Sequence, residues 1–416
     1  MSSDKRHDKG REPRLGTLRD TFTGEGAESG ESPLKQGPDE RREKRLKLQR
    51  TASKLTPEMR VHHCLWTHHA ASVDLVKRGD DPRFLGVQTC GSVWSCPVCA
   101  ARISETRRGE LQQLLAWTKE RGIIPMMMTL TARHRGRALD PLVESLALAK
   151  RRMSRRRAWE RLKEEGQVVG TVSVRESTYG DENGWHPHYH VIVLMSVETE
   201  AEAARLLEPL RREWLDCLRK EGLTGTSRRA FDVRGAAAVA AYGSKHGRDD
   251  GGPTWDMAAE MTQARNKSGR KGGRSPFQIL RDVHDGDEAS IPLWQEYARG
   301  MHGRRQIVWS NGLKATVGID EIEDEAAAEG EEYTEEEDET VASWSSERWR
   351  HIRHLRGEIL TAARHGGAEA VARVVHDDHD DPVIEEPPPV VFGGLRDRAL
   401  AILREKKEAA REPPVE

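Results

Sequence analysis

Apolar and polar positions alternate most clearly over residues 168–176. There Val172, Val174 and Glu176 share one face of a strand, and Thr171, Ser173 and Arg175 share the other. Residues 188–195 are apolar on both faces beyond His190, which predicts a strand at the centre of a sheet. The turn-forming stretch YGDENGW separates the two, so they are predicted to pair as a hairpin through residues 177–187, with Glu176 beside His188. A further buried strand is predicted over residues 123–131, IIPMMMTLT, and a short one over 230–233. Helical spacing marks residues 141–165, 198–220 and 235–245. The resulting order of strand, helix, strand, strand, helix, strand, helix predicts an α+β, ferredoxin-like plan with a central antiparallel sheet.

Charge divides the chain more sharply than its formal net of -2 suggests. Residues 41–320 hold 48 Lys and Arg against 34 Asp and Glu, whereas residues 321–416 hold 12 against 26. A body this basic suits a polyanion, because Lys and Arg neutralise phosphates and release counterions. The acidic stretch EIEDEAAAEGEEYTEEEDE is poor in large apolar residues and reads as a disordered linker. No run of 18 apolar residues occurs and the N-terminus is polar, so a cytoplasmic protein without membrane partners is expected.

Four of the five cysteines, Cys64, Cys90, Cys96 and Cys99, fall within one short stretch. The CxxC pair Cys96 and Cys99 turns two thiolates toward one tetrahedral ion, and Cys64 and Cys90 complete a structural Zn²⁺ set. His62, His63, His68 and His69 are alternative ligands. A redox role is disfavoured because no thioredoxin-like pattern surrounds the pair.

In WHPHYHVIVLM, His186, His188 and His190 occupy alternate positions, so a strand projects them from one face. Glu176, opposite His188, would complete a two-histidine, one-carboxylate site suited to Mn²⁺ or Mg²⁺. Downstream, GAAAVAAYGSKHG reads as a helix that sets Tyr242 and Lys245 on one side among alanines. Tyrosine is a weak nucleophile near its usual pKa, and a cation such as Lys245 would assist it. No nucleotide-binding GxxxxGK[ST] loop is present.

Together these residues resemble the HUH endonucleases, and within them the rolling-circle replication initiators of Gram-positive plasmids. The resemblance spans residues 64–313 and rests on three motifs in order. These are a TLT strand (Thr129, Leu130, Thr131), the HxH strand (His188, Tyr189, His190) and a YxxK helix (Tyr242 to Lys245). Histidines before tyrosine is the initiator order rather than the relaxase order. The resemblance implies a metal-dependent DNA-nicking and strand-transferring enzyme acting on single-stranded or extruded origin DNA. Tyr242 would be the nucleophile of a 5′-phosphotyrosine intermediate, and His188 and His190 would be ligands with Glu176, or alternatively His134, as the third. Host helicase and polymerase are the implied partners. A single tyrosine in this helix leaves termination open, and Trp185 or Trp255 are candidates for base stacking.

Two rivals remain at this level: a transposase of the same superfamily, and a non-catalytic zinc-containing DNA-binding regulator. The expected organisation is a disordered basic and polar arm (1–55), a Cys-rich zinc-binding segment (56–115) and the catalytic domain (116–315). An acidic disordered linker (316–342) and helical C-terminal segments with a Pro-rich linker (343–416) follow.

Overall fold

The computed structural model describes residues 37–134, 136–245, 273–330, 334 and 336–376, with the backbone alone for Tyr242 to Lys245. The fold mixes helices with two antiparallel sheets. The smaller sheet contains β1 (Ser72–Arg78), β2 (Asp81–Leu85) and β8 (Glu339–Ser345), in the order β2-β1-β8. The larger contains β3 (Ile124–Thr131), β4 (Val168–Gly180), β5 (Gly184–Met195), β6 (Phe231–Arg234) and β7 (Ile307–Trp309). Its order is β6-β3-β5-β4-β7, with every neighbouring pair antiparallel.

β5 lies at the centre of the larger sheet, where a strand apolar on both faces belongs. Its Val191, Val193 and Met195 pack with Leu142, Leu146, Leu210 and Trp214 on one side. The first two belong to α3 (Leu139–Met153), and the others to α6 (Pro209–Lys220). Its Ile192 and Leu194 pack on the opposite side with Leu111 and Leu114 of α2 (Pro97–Glu120). The hairpin is longer than its expected loop allowed, because pairing continues to Gly180 opposite Gly184. Pro187 sits inside β5 where pairing with β3 has already ended at His188, so its missing N–H breaks no ladder there.

The expected helix over residues 141–165 is two: α3 and α4 (Arg157–Glu165). Residues 154–157 are SRRR, with no apolar side chain to hold that turn on the sheet. Likewise residues 198–220 divide into α5 (Glu200–Leu207) and α6, with Pro209 opening the second, and a single turn, α7 (Ser227–Ala230), leads into β6.

The chain ends correct the expected organisation most. Within the supposed arm, α1 (Pro38–Leu55) buries Leu46, Leu48 and Ala52. They join the Cys-rich segment, the helix Pro276–His284 and the helices Ser346–Ile352 and Arg356–His376 in one core. The supposed linker is also partly ordered: Ala327 and Ala328 are buried, and β8 pairs with β1. Its Asp338 side chain is fully buried, accepting hydrogen bonds from Arg78 and Arg83. Charge pairing across the fold supplies what local composition lacked. Residues 1–36, Trp255, and the part of the expected C-terminal segments beyond residue 376 lie outside the described residues.

Candidate metal centre and four-cysteine cluster

Among the described residues, α2 and α8 (Ala236–Lys245) cover one end of one face of the five-stranded sheet. At the other end of that face β4 and β5 contribute Glu176, His188 and His190, each partly buried, in the register Glu176↔His188. Glu176 Oε2 lies 3.2 Å from His188 Nε2 and 3.6 Å from His190 Nε2. The second ring nitrogens are engaged: His188 Nδ1–H donates to the His186 carbonyl at 3.2 Å, and His190 Nδ1 is 3.1 Å from Thr129 Oγ1.

That arrangement tests whether a cation fits. A carbonyl only accepts, so a neutral His188 carries its proton on Nδ1 and turns a lone pair toward a carboxylate oxygen. Two acceptors at 3.2 Å are stable only with a proton or a metal between them. Burial alone would lower His188, but Glu176 more than offsets this and holds it above its usual value. Burial would raise Glu176, yet hydrogen bonds from His188 and His190 hold it well below the usual carboxylate range. The three residues therefore suit a divalent ion, with the outer nitrogens oriented as metal-bound histidines require.

The alternative third ligand, His134, stands elsewhere. Its ring stacks on His186 with centroids 4.7 Å apart, and its Nδ1 lies 3.1 Å from the Asn183 carbonyl. His186 is bound through Nε2 to Thr131 Oγ1 at 2.6 Å, and burial, then His188 and His134, push it down to about 4. The two threonines of TLT thus brace two of the three histidines, a role the sequence reading missed. Its only signal was that Thr129 and Thr131 share the two-residue period of the HxH residues.

Tyr242 and Lys245 fall in the last part of α8, and their side chains lie outside the described residues. The placement of the helix is nonetheless informative. Val239 packs with Met127 and Ile192, the same-face neighbours of Thr129 and His190, and Tyr242 follows one turn later. The start of α8 is held by α5: the Ala236 N–H donates to Glu200 Oε1 at 3.1 Å. A Cβ on Gly235 would stand 1.8 Å from Glu200 Oε2, so only glycine admits that carboxylate. Trp185 is no stacking platform, being 2% exposed, stacked on Tyr297 and hydrogen-bonded to Glu296 at 2.9 Å.

On the reverse face, Tyr189 points away from the two histidines that flank it. Its Oη accepts from Arg175 Nε and Nη2 at 3.1 and 2.7 Å, and Lys150 Nζ lies 5.2 Å from its ring centre.

The second cluster brings Cys64, Cys90, Cys96 and Cys99 together, all buried. Three Sγ–Sγ separations are 3.5, 3.6 and 3.6 Å, far beyond a disulfide bond. Four sulfurs about 2.3 Å from a tetrahedral ion stand about 3.8 Å apart, so the cluster has the right span for one metal. Cys96 does cap a helix, α2, but Cys64 and Cys90 give it four sulfurs where a redox pair has two. Of the alternative ligands, His62 is engaged near Ser53 and His63 on Thr67, and the four cysteines group without any of the histidines.

The sequence profile of a replication protein family matches residues 83–354. The chain is 29% identical over 307 residues to the "Protein rep" of Streptomyces lividans, covering 58% of this chain and 66% of that protein. It is also 29% identical over 171 residues to a "Neomycin resistance protein" of Streptomyces cyanogenus, covering 33% of this chain and 39% of the relative. The chain thus spans just under two thirds of the first relative's length. No solved structure matches it. Among the described residues no helix is long and apolar enough to cross a membrane.

Proposed function

Because the chain belongs to the replication protein family, we propose that it is a cytoplasmic plasmid initiator that nicks and rejoins single-stranded origin DNA through Tyr242. The observation that carries this reading is the convergence of Glu176, His188 and His190 on the face against which the tyrosine-bearing helix packs. The strands β3 to β6, in chain order first to fourth, lie as fourth, first, third, second, all antiparallel. That order supports the ferredoxin-like HUH arrangement.

A bound Mn²⁺ or Mg²⁺ would withdraw charge from the scissile phosphate and favour in-line attack. Glu176, His188 and His190 would hold it, with Thr129 and the His186 carbonyl fixing the two imidazoles. The Tyr242 phenol oxygen attacks phosphorus and the bond to the 3′-oxygen breaks. The phenol proton is transferred, net, to the departing oxygen. A 5′-phosphotyrosine and a free 3′-hydroxyl result, the latter a primer for host polymerase. Lys245, one turn beyond Tyr242, supplies positive charge to the developing phenolate. The tyrosyl phosphodiester conserves the energy of the broken bond, so rejoining needs no ATP.

The trio of potential ligands weighs against a purely DNA-binding regulator, which has no use for a cation site of this kind. The test is incubation of single-stranded origin oligonucleotides with the full chain and Mn²⁺, followed by mass spectrometry for a DNA-modified peptide. The adduct is expected on Tyr242, with Tyr242→Phe binding DNA and forming none. An undiminished adduct in the Phe variant would overturn the assignment.

A further inference from the structure

The four-cysteine cluster lies where the two ends of the described chain meet, and arginines gather beside it. Gln49 of α1 donates from Nε2 to the Cys64 carbonyl at 2.9 Å and the Val61 carbonyl at 3.1 Å. Its Oε1 accepts from Arg356 Nη2 at 2.7 Å, so one side-chain amide joins a cysteine's backbone to the C-terminal helix. The next residue along from Leu65, Trp66, completes the link. Its carbonyl accepts from Trp349 Nε1 at 3.0 Å and Arg353 Nη1 at 3.4 Å. Its ring carries the guanidiniums of Arg50, Arg353 and Arg356 at 3.9, 4.5 and 5.0 Å.

Three guanidiniums around one indole repel one another, and cation–π attraction repays only part of that in a buried place. Arg356 is 4% exposed, and its hydrogen bonds go to neutral acceptors: Gln49, and the carbonyls of Leu46 and Arg353. Burial, then Arg50, pushes it down to about 10, while the Cys64 and Cys96 sulfurs act in the opposite direction. Gln49 ties Arg356 to the Cys64 backbone, so thiolate charge gained by the cluster on binding a metal would act on this guanidinium at short range. Four thiolates around a divalent ion carry a net charge of about −2, opposite in sign to the three guanidiniums and enough to offset most of their charge.

We infer that Cys64, Cys90, Cys96 and Cys99 bind one Zn²⁺ whose thiolate charge is balanced by Arg50, Arg353 and Arg356, and that this charge pairing docks the helices Ser346–Ile352 and Arg356–His376 onto α1. Arg356 and Gln49 are positioning residues for the metal: neither touches it, and both orient the loop that presents Cys64. Docking and metal binding are then reciprocal, so whatever loosens the C-terminal helices weakens the metal by the same factor. This holds whether or not the chain nicks DNA.

The test uses the full chain and needs no DNA. As purified it should contain one zinc per chain, and Co²⁺ in its place should show the intense visible bands of a tetrahedral thiolate site. Removing metal with chelator and a reductant should raise amide hydrogen exchange in α1 and in residues 346–363, leaving β3 and β5 protected. Arg356→Met should weaken zinc affinity roughly 10-fold or more in a chelator competition, and Arg356→Lys should recover part of it. Unchanged exchange in the wild-type chain after metal removal would overturn the docking, without relying on any variant that fails to fold. An unchanged zinc affinity in Arg356→Met would overturn the charge pairing, and absence of zinc and cobalt binding would overturn both.

Discussion

Lys150 gives a quantitative test of the sheet that carries the candidate metal centre. It lies on α3 against Tyr189, with Arg175 on the same ring, and burial, then Arg175, pushes it from 10.5 down to about 8. At 1.36 kcal/mol per tenfold change in proton affinity, this costs the folded state about 3 kcal/mol wherever both states carry the charge. The cation–π contact with Tyr189 offsets about 1 kcal/mol of it. Lys150→Met keeps most of the aliphatic stem and removes the charge, so it should stabilise the protein by about 2 kcal/mol near neutral pH. The sign of the pH dependence follows. Between about pH 8 and pH 10.5 the unfolded chain binds a proton at this lysine that the folded chain does not. Wild-type stability should therefore gain an increment across that window that Lys150→Met lacks, and the two should converge at its upper end. Urea unfolding of both proteins at intervals from pH 7 upward measures this. A methionine variant no more stable than wild type near pH 7, or an advantage that persists unchanged above pH 10.5, would refute the reasoning.

Other consequences can be checked in the same preparations. Glu176→Gln keeps the shape of the side chain but removes its charge from between two imidazoles, and nicking should fall at least 10-fold to 100-fold with DNA binding intact, as read by gel cleavage and by anisotropy. Thr129→Val deprives His190 Nδ1 of its hydroxyl partner, so more Mn²⁺ should be needed for half-maximal nicking; an unshifted Mn²⁺ titration would count against the bracing role. Gly235→Ala forces Glu200 off the start of α8, which should cost about 1 kcal/mol in urea unfolding, the usual worth of such a contact at a helix start. Glu200→Ala should match it, and unequal losses would separate strain from capping.

The core of the candidate site was legible because it is local. Glu176 and His188 sit on either side of one hairpin, and two-residue alternation fixes both which face they share and which residues meet. The two-sided apolar run after His190 likewise forecast the central position of β5. What escaped the sequence was non-local. Thr129 and Thr131 acquire their partners only when β3 lies beside β5. Leu46, Leu48 and Ala52 look too sparse among charges to make a core, and they bury only against the Cys-rich segment and the far C-terminal helices. Asp338 belongs to a stretch whose composition says disorder, and its order comes from Arg78 and Arg83.

The pairing of Ser72 with Ser345 has a consequence during synthesis. β1 leaves the ribosome early, and the strand that covers its outer edge leaves late. At about 5–20 residues per second the wait is roughly tens of seconds. Throughout it the nascent chain can complete its five-stranded sheet yet still presents a raw hydrogen-bonding edge, an open template for neighbours on the same polysome. Ribosome stalling beyond β7 should therefore yield chains that bring Glu176, His188 and His190 together correctly and aggregate through their N-terminal halves.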